Sequence, residues 1–284
     1  MIYKIKLLLS SLYYTLLFFT RNLFFGKALS AVEKPSLVIS LTCFPARIHK
    51  VFLTIESIFY QQCDFEFIVE LYLSLDEFPD RNLPCSLLRL ERRGLKIHFV
   101  DGNERSYKKL IYSYRKWDKP VVTIDDDIFY PSNFVNTLYK AHTANPEDII
   151  FFRGKEIQFE GGNVGLYSTY PEASNFQANK YLLPTGVSGV LYPDGCLHPD
   201  FDNANIYKKL APYADDMWFK VMTLLNGRSS RLCYSQSIHF PLIFGSQRIS
   251  LRNVNVADGL SKNDVQLRAI LEYYNITEHE FKED

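Results

Sequence analysis

The sequence predicts an α/β fold with a mostly parallel central sheet flanked by helices. Two observations carry that expectation. From Ser36 onward, short apolar runs of strand length alternate with segments whose apolar residues recur at helical spacing. The 284 residues, 47% hydrophobic and 23% charged, also suffice for a sizeable folded domain and argue against disorder.

The elements follow in order. SLVISLTCF (36–44) reads as a buried strand, and HKVFLTIESIFYQQ (49–62) as an amphipathic helix through Ile48, Val51, Phe52, Ile55 and Ile58. FIVELYLSL (67–75) is a second strand, LPCSLLRLERRG a short helix stopped by Gly94, and KIHFVD (96–101) a third strand. Ser106 is expected to cap a helix over SYKKLIYSYRKW, and Ser132 one over SNFVNTLYKAH. Between them KPVVTIDDDIFY (119–130) reads as a fourth strand. Repeated βα units imply parallel strands, and such sheets bind ligands at the carboxyl ends of their strands. The second half is more irregular, with one clear helix near 216–226, and reads as a continuation of the same domain, 36–284.

Residues 1–30 stand apart as a membrane-associating leader. Leu7 to Phe19 is strongly apolar, and the segment holds Lys4, Lys6, Arg21 and Lys27 without an acidic residue. The remaining chain has 28 basic against 32 acidic residues, so a basic apolar leader precedes a mildly acidic body. That run is too short to cross a bilayer, which takes about 20 apolar residues. An interfacial helix fits it best, with a cleaved signal peptide and a short anchor as alternatives. Deleting the leader is expected to leave a folded, more soluble protein. Zero net charge excludes a nucleic-acid binder held by phosphates. Five scattered cysteines with no CxxC pair argue against a disulfide framework and a structural zinc site.

Three features carry chemistry. Asp125, Asp126 and Asp127 end an apolar run, and adjacent carboxylates repel one another unless a cation sits among them. On a strand Asp125 and Asp127 would project to one side. Oxygen ligands select hard ions, Mn2+ or Mg2+, which hold phosphates. An acidic turn closing the strand is the bland alternative. Asp215 and Asp216 open a helix, where one can cap it and the other can act as a general base. His239, downstream of both clusters, is either a structural histidine or a metal ligand.

In this order the motifs resemble those of nucleotide-sugar glycosyltransferases of the Rossmann-like GT-A fold, especially bacterial enzymes of capsule and lipopolysaccharide assembly. The resemblance covers roughly residues 36–275. SLTCFPARI looks like the nucleotide-binding loop, which implies donor contacts at Thr42, Pro45 and Arg47. SYKKL looks like the donor-lining helix, with Lys108 and Lys109, and IDDDIFYP like the DXD metal motif. GVSGVLYP (186–193) resembles the acceptor-side strand. ADDMWF resembles the motif of the catalytic base, with Asp-Asp where the family has Glu-Asp. IHFP would supply the histidine ligand, and SLRNVNVADGLSKNDVQ is also family-like.

The resemblance implies a metal held by Asp125, Asp127 and His239, and a nucleotide-sugar donor held by the first loop with Asp125 and Asp126. The acceptor is then a glycan or a lipid-linked sugar, with Asp216 or Asp215 as base and inversion at the anomeric carbon. The implied location is the cytoplasmic face of the inner membrane, or the Golgi lumen if Asn275-Ile276-Thr277 is a used sequon. Two rivals are a non-catalytic nucleotide-sugar-binding subunit and a sugar nucleotidyltransferase. The second should carry a glycine-rich loop after the first strand, and TCFPARI has no glycine.

Overall fold

The computed structural model describes residues 2–24, 26–30, 32–246 and 261–282. Among the described residues the fold is α/β, with seven central strands, mostly parallel, flanked by helices. By its internal contacts the chain divides into two compact units, Met1–Lys140 with His239–Ile249, and Ala141–Ile238 with Ser250–Asp284.

The first unit runs α1 (Ile2–Phe24), β1 (Leu37–Thr42), α2 (Val51–Phe59), β2 (Phe67–Ser74), α3 (Cys85–Arg92), β3 (Leu95–Val100), α4 (Lys108–Lys116) and β4 (Val121–Thr123). Its strands lie in the order β3-β2-β1-β4, all parallel. β2 is buried over its whole length and reads as a continuous apolar run, as expected for a strand covered on both faces. Glu70 is the exception in that run. Burial alone would raise its pKa, but His98, Lys116, Ser113 and Tyr72 all bond the carboxylate and bring it down to about 2. Fully buried, it ties β2 to β3 and α4.

Helix α1 does not stand apart from this unit. Its inner face packs on α2 and α3. Asn22 donates to Glu56 at 2.8 Å and accepts from Arg89 at 2.9 Å, while Glu56 is also paired with Arg93. Phe18 is buried against Phe129, ring centroids 5.7 Å apart, and Tyr14 meets the same ring at 5.7 Å. Burying a phenylalanine contributes roughly 1.5–3 kcal/mol. Removing residues 1–30 would therefore expose Phe129 and leave Glu56 without one of its partners, so the leader contributes to the packing of the first unit.

After α5 (Phe134–Ala144) comes the second unit, with β5 (Ile149–Phe151), β6 (Gly154–Glu156), β7 (Phe159–Glu160), β8 (Asn163–Val164), β9 (Leu182–Pro184), β10 (Val190–Tyr192), α6 (Ala204–Leu210), α7 (Asp215–Leu225), β11 (Ser230–Leu232) and α8 (Lys262–Tyr273). β5 pairs with β11 in parallel and with β10 antiparallel, and β6–β9 and β7–β8 form two small antiparallel pairs. α7 packs on α8 and β9, with Trp218 fully buried and its indole donating to the carbonyl of Phe201 at 2.8 Å. The start of α8 is fixed by a capping box between Ser261 and Asp264, and Asp264 also accepts from the Tyr167 amide at 2.6 Å.

Several sequence expectations shift. Ser106 lies in a 3-10 turn (Arg105–Tyr107) that precedes α4, and no side-chain bond caps that helix. β4 stops at Thr123, so the three aspartates follow the strand instead of ending it. Residues 250–260 of the SLRNVNVADGLSKNDVQ segment lie outside the described residues.

Candidate active site

In the first unit the strand order reverses between β1, which leads to β2 and β3 on one side, and β4 on the other. The crevice at the carboxyl ends of two such strands is where open parallel sheets bind ligands. The loop after β1 carries Cys43 to Arg47, and the turn after β4 carries Asp125 to Asp127.

The two segments meet through Arg47. Its guanidinium donates to Asp126 Oδ1 at 2.5 Å, lies 3.1 Å from Asp127 Oδ2, and reaches the carbonyl of Ser246 at 3.4 Å. Lys109 Nζ, from α4, bonds Asp125 Oδ1 at 3.2 Å. Three adjacent carboxylates are thus held by two cations from separate elements. The reading of Asp125 and Asp127 on one side of a strand is corrected: Asp126 and Asp127 share a turn and the same guanidinium. Burial pushes both upward in pKa against the pull of Arg47, and with Asp125 and Asp126 adding repulsion Asp127 reaches about 6.

The turn is braced from below. Ile243 donates to the carbonyl of Asp127 at 2.8 Å, Phe129 donates to that of Pro241 at 2.9 Å, and Ile128 bridges Leu242. The Tyr130 hydroxyl accepts from the Asp125 amide at 3.0 Å. The sequence reading missed Tyr130, Cys43, which hydrogen-bonds Asp126, and the bracing segment 241–246. Tyr130 alone was legible, three residues past the aspartates. Segment 241–246 returns from more than a hundred residues downstream, and no local pattern marks it.

The other candidates separate. Thr42 Oγ1 donates across to the carbonyl of Tyr72 at 2.8 Å, which fixes it within the sheet, and Pro45 is exposed in the turn after β1. Lys108, although adjacent to Lys109, is buried and bonds Glu77 and Asn103, both at 3.1 Å. Successive helical residues lie 100° apart, so only Lys109 reaches the carboxylates. His239 is exposed at the start of the returning segment. Among the described residues no three His, Cys, Asp or Glu side chains are grouped to hold a metal ion, so Asp125, Asp127 and His239 do not form such a set. The carboxylates of Asp125 and Asp127, hard oxygen donors now matched by exchangeable side-chain cations, still suit Mn2+ or Mg2+.

In the second unit Asp215 and Asp216 occupy the first turn of α7. Ala214 is the N-cap and makes no side-chain capping bond, so the expectation that one of the two aspartates stands at the cap is corrected. Asp215 is buried, while Asp216 is half-buried and its Oδ2 accepts from the Gly186 amide at 3.1 Å. Gly186 opens the 3-10 turn leading into β10, where Gly189 has φ +88°, a conformation that side-chain-bearing residues rarely adopt. The GVSG loop thereby fixes the orientation of the Asp216 carboxylate.

No family model and no curated protein matches the chain. Among solved structures it is similar to the mannosyltransferase PcManGT from Pyrobaculum calidifontis in complex with GDP-Man and Mn2+, with 18% identity and a TM-score of 0.31, over 52% of this chain and 45% of that one. It is also similar to S. aureus TarS 1-349, with 15% identity and a TM-score of 0.44, over 73% of this chain and 59% of that one. The same protein in complex with UDP-GlcNAc gives 14% and 0.42, over 73% and 57%. The chain therefore spans roughly half the length of these solved chains.

Proposed function

We propose that this protein is a metal-dependent glycosyltransferase that moves a sugar from a nucleotide-sugar donor to a glycan or lipid-linked acceptor. The observation that carries this reading is the meeting of Arg47 with Asp126 and Asp127 at the carboxyl ends of β1 and β4. There, fixed carboxylates and exchangeable cations stand where a parallel sheet takes a nucleotide.

Asp125 and Asp127 would hold Mn2+ or Mg2+, which supplies neutralisation of a departing diphosphate. Arg47 and Lys109 add positive charge for the same diphosphate once the carboxylates are met by the metal. Asp216 takes the proton of the acceptor hydroxyl, and the Gly186 amide keeps its second oxygen oriented. Direct displacement then inverts the anomeric carbon. The basic apolar N-terminal helix supports work at a membrane surface, and the cytoplasmic face of the inner membrane suits a cytosolic nucleotide-sugar supply.

The test is a panel of UDP- and GDP-sugars incubated with and without Mn2+, reading released nucleotide. Metal-dependent hydrolysis of one donor is expected, with Asp127→Ala abolishing it while the protein stays folded. Unchanged Mn2+-dependent donor affinity in folded Asp127→Ala would remove the site assignment. Donor binding without any turnover would favour a binding subunit.

A further inference from the structure

Helix α1 has a covered inner face and an exposed apolar outer face. On the inner side Ser11, Phe18 and Asn22 are buried. On the outer side Leu9, Leu12, Leu16, Phe19 and Leu23 recur at alternating intervals of three and four residues, and all are exposed, Leu16 to 66%. Leu8 and Tyr13 widen that row to an arc of about 140°. Most large hydrophobic side chains exposed among the described residues lie on this one helix.

We propose that the outer face of α1 rests on an anionic bilayer surface, with the helix lying in the plane of the membrane. This deepens the membrane-surface part of the proposed function and rests on it. A helix–helix seam to a second copy would use a narrower stripe flanked by ion pairs. Residues 1–30 supply no acidic side chain for such pairs, whereas their net charge of +4 complements an anionic lipid surface. Arg21 and Lys27 are turned inward, the first over the Tyr60 ring at 3.7 Å and the second onto the Gln61 carbonyl at 3.2 Å. The remaining chain carries net −4, so an anionic surface would repel other faces and favour this one. No described helix is long and apolar enough to cross a membrane.

The same helix supports the carboxylate turn. Ser11 Oγ donates to the carbonyl of Leu242 at 2.6 Å, Leu242 bridges Ile128, and Tyr14 and Phe18 pack on Phe129. Seated in this way, the turn lies about one helix diameter, on the order of 10 Å, above the lipid. That height suits an acceptor anchored in the bilayer.

The test is flotation of the full chain with vesicles of phosphatidylcholine alone or mixed with phosphatidylglycerol, at low and high salt. The wild type should float with the mixed vesicles and release partly at high salt. Leu9→Gln combined with Leu16→Gln should weaken flotation at least about tenfold, with an unchanged melting temperature and unchanged Mn2+-dependent nucleotide binding. Equal flotation of variant and wild type, or a wild type that never floats, overturns the proposal. So does a dimer in solution that the double variant dissolves, since the face would then belong to a second copy. Flotation is read without substrate: normal flotation without hydrolysis fails the transferase reading alone, and lost flotation with intact hydrolysis fails only this one.

Discussion

The two acidic clusters solve the same electrostatic problem in different ways. Asp125–Asp127 follow a strand and are met by side-chain cations, Arg47 and Lys109. Asp215 and Asp216 begin a helix, where the helix dipole favours negative charge and a backbone amide, that of Gly186, holds one carboxylate oxygen. Side-chain cations on flexible stems would be able to leave if a metal and a diphosphate were bound. A backbone amide cannot. Under the proposed function the first cluster would exchange its counter-charges, and the second would keep one carboxylate in the fixed orientation that a proton acceptor requires.

The largest expected effect comes from the second cluster. Asp216→Asn should stay folded, losing at most about 0.3–1 kcal/mol of helix-dipole stabilisation, bind donor and metal normally, and transfer sugar about 10²–10⁴-fold more slowly. Transfer near the wild-type rate in single-turnover measurements would dissolve the contrast between the clusters.

Arg47→Gln tests the first cluster. It leaves Asp126 buried without its guanidinium, which should cost about 3 kcal/mol in urea unfolding. Added Mn2+ should restore part of that loss, because the metal takes over the counter-charge. A variant as stable as wild type, or one indifferent to Mn2+, would mean that the carboxylates do not need an exchangeable cation.

Asp127 gives a pH signature of smaller size. Its carboxyl is raised from 3.8 to about 6, first by burial. Between those values the folded chain holds a proton that the unfolded chain has lost, so stability falls as pH rises through that window. Without divalent cation the share of Asp127 in this fall should amount to about 2–3 kcal/mol, and Asp127→Asn should remove that share while leaving any due to Asp126, which burial also raises. A wild-type profile that rises over the same window would reverse the sign and the argument.

The smallest effect belongs to Asp215. Asp215 is not the N-cap residue, so Asp215→Asn should remove a favourable charge in the first helical turn, worth about 0.3–1 kcal/mol, and not a helix cap. Transfer should stay within a few-fold of wild type. A hundredfold loss there, with Asp216→Asn active, would move the base by one residue.

The sequence by itself determined the alternation of strands and helices, because parallel strands buried on both faces must be apolar throughout and amphipathic helices must repeat every 3.6 residues. It also located both acidic clusters, since adjacent carboxylates are improbable in an apolar context without a cation or a helix start to hold them. Only the tertiary structure decided which cations answer them. Lys108 and Lys109 are neighbours in sequence, yet one is committed to Glu77 and the other to Asp125, a choice made by the packing of α4. The role of α1 was hidden for a related reason. The face of α1 that is covered carries Ser11 and Asn22 beside Phe18 and is less apolar than the exposed one, so local pattern points to the wrong face, and Phe129, the ring that packs on Phe18, lies more than a hundred residues further along the chain.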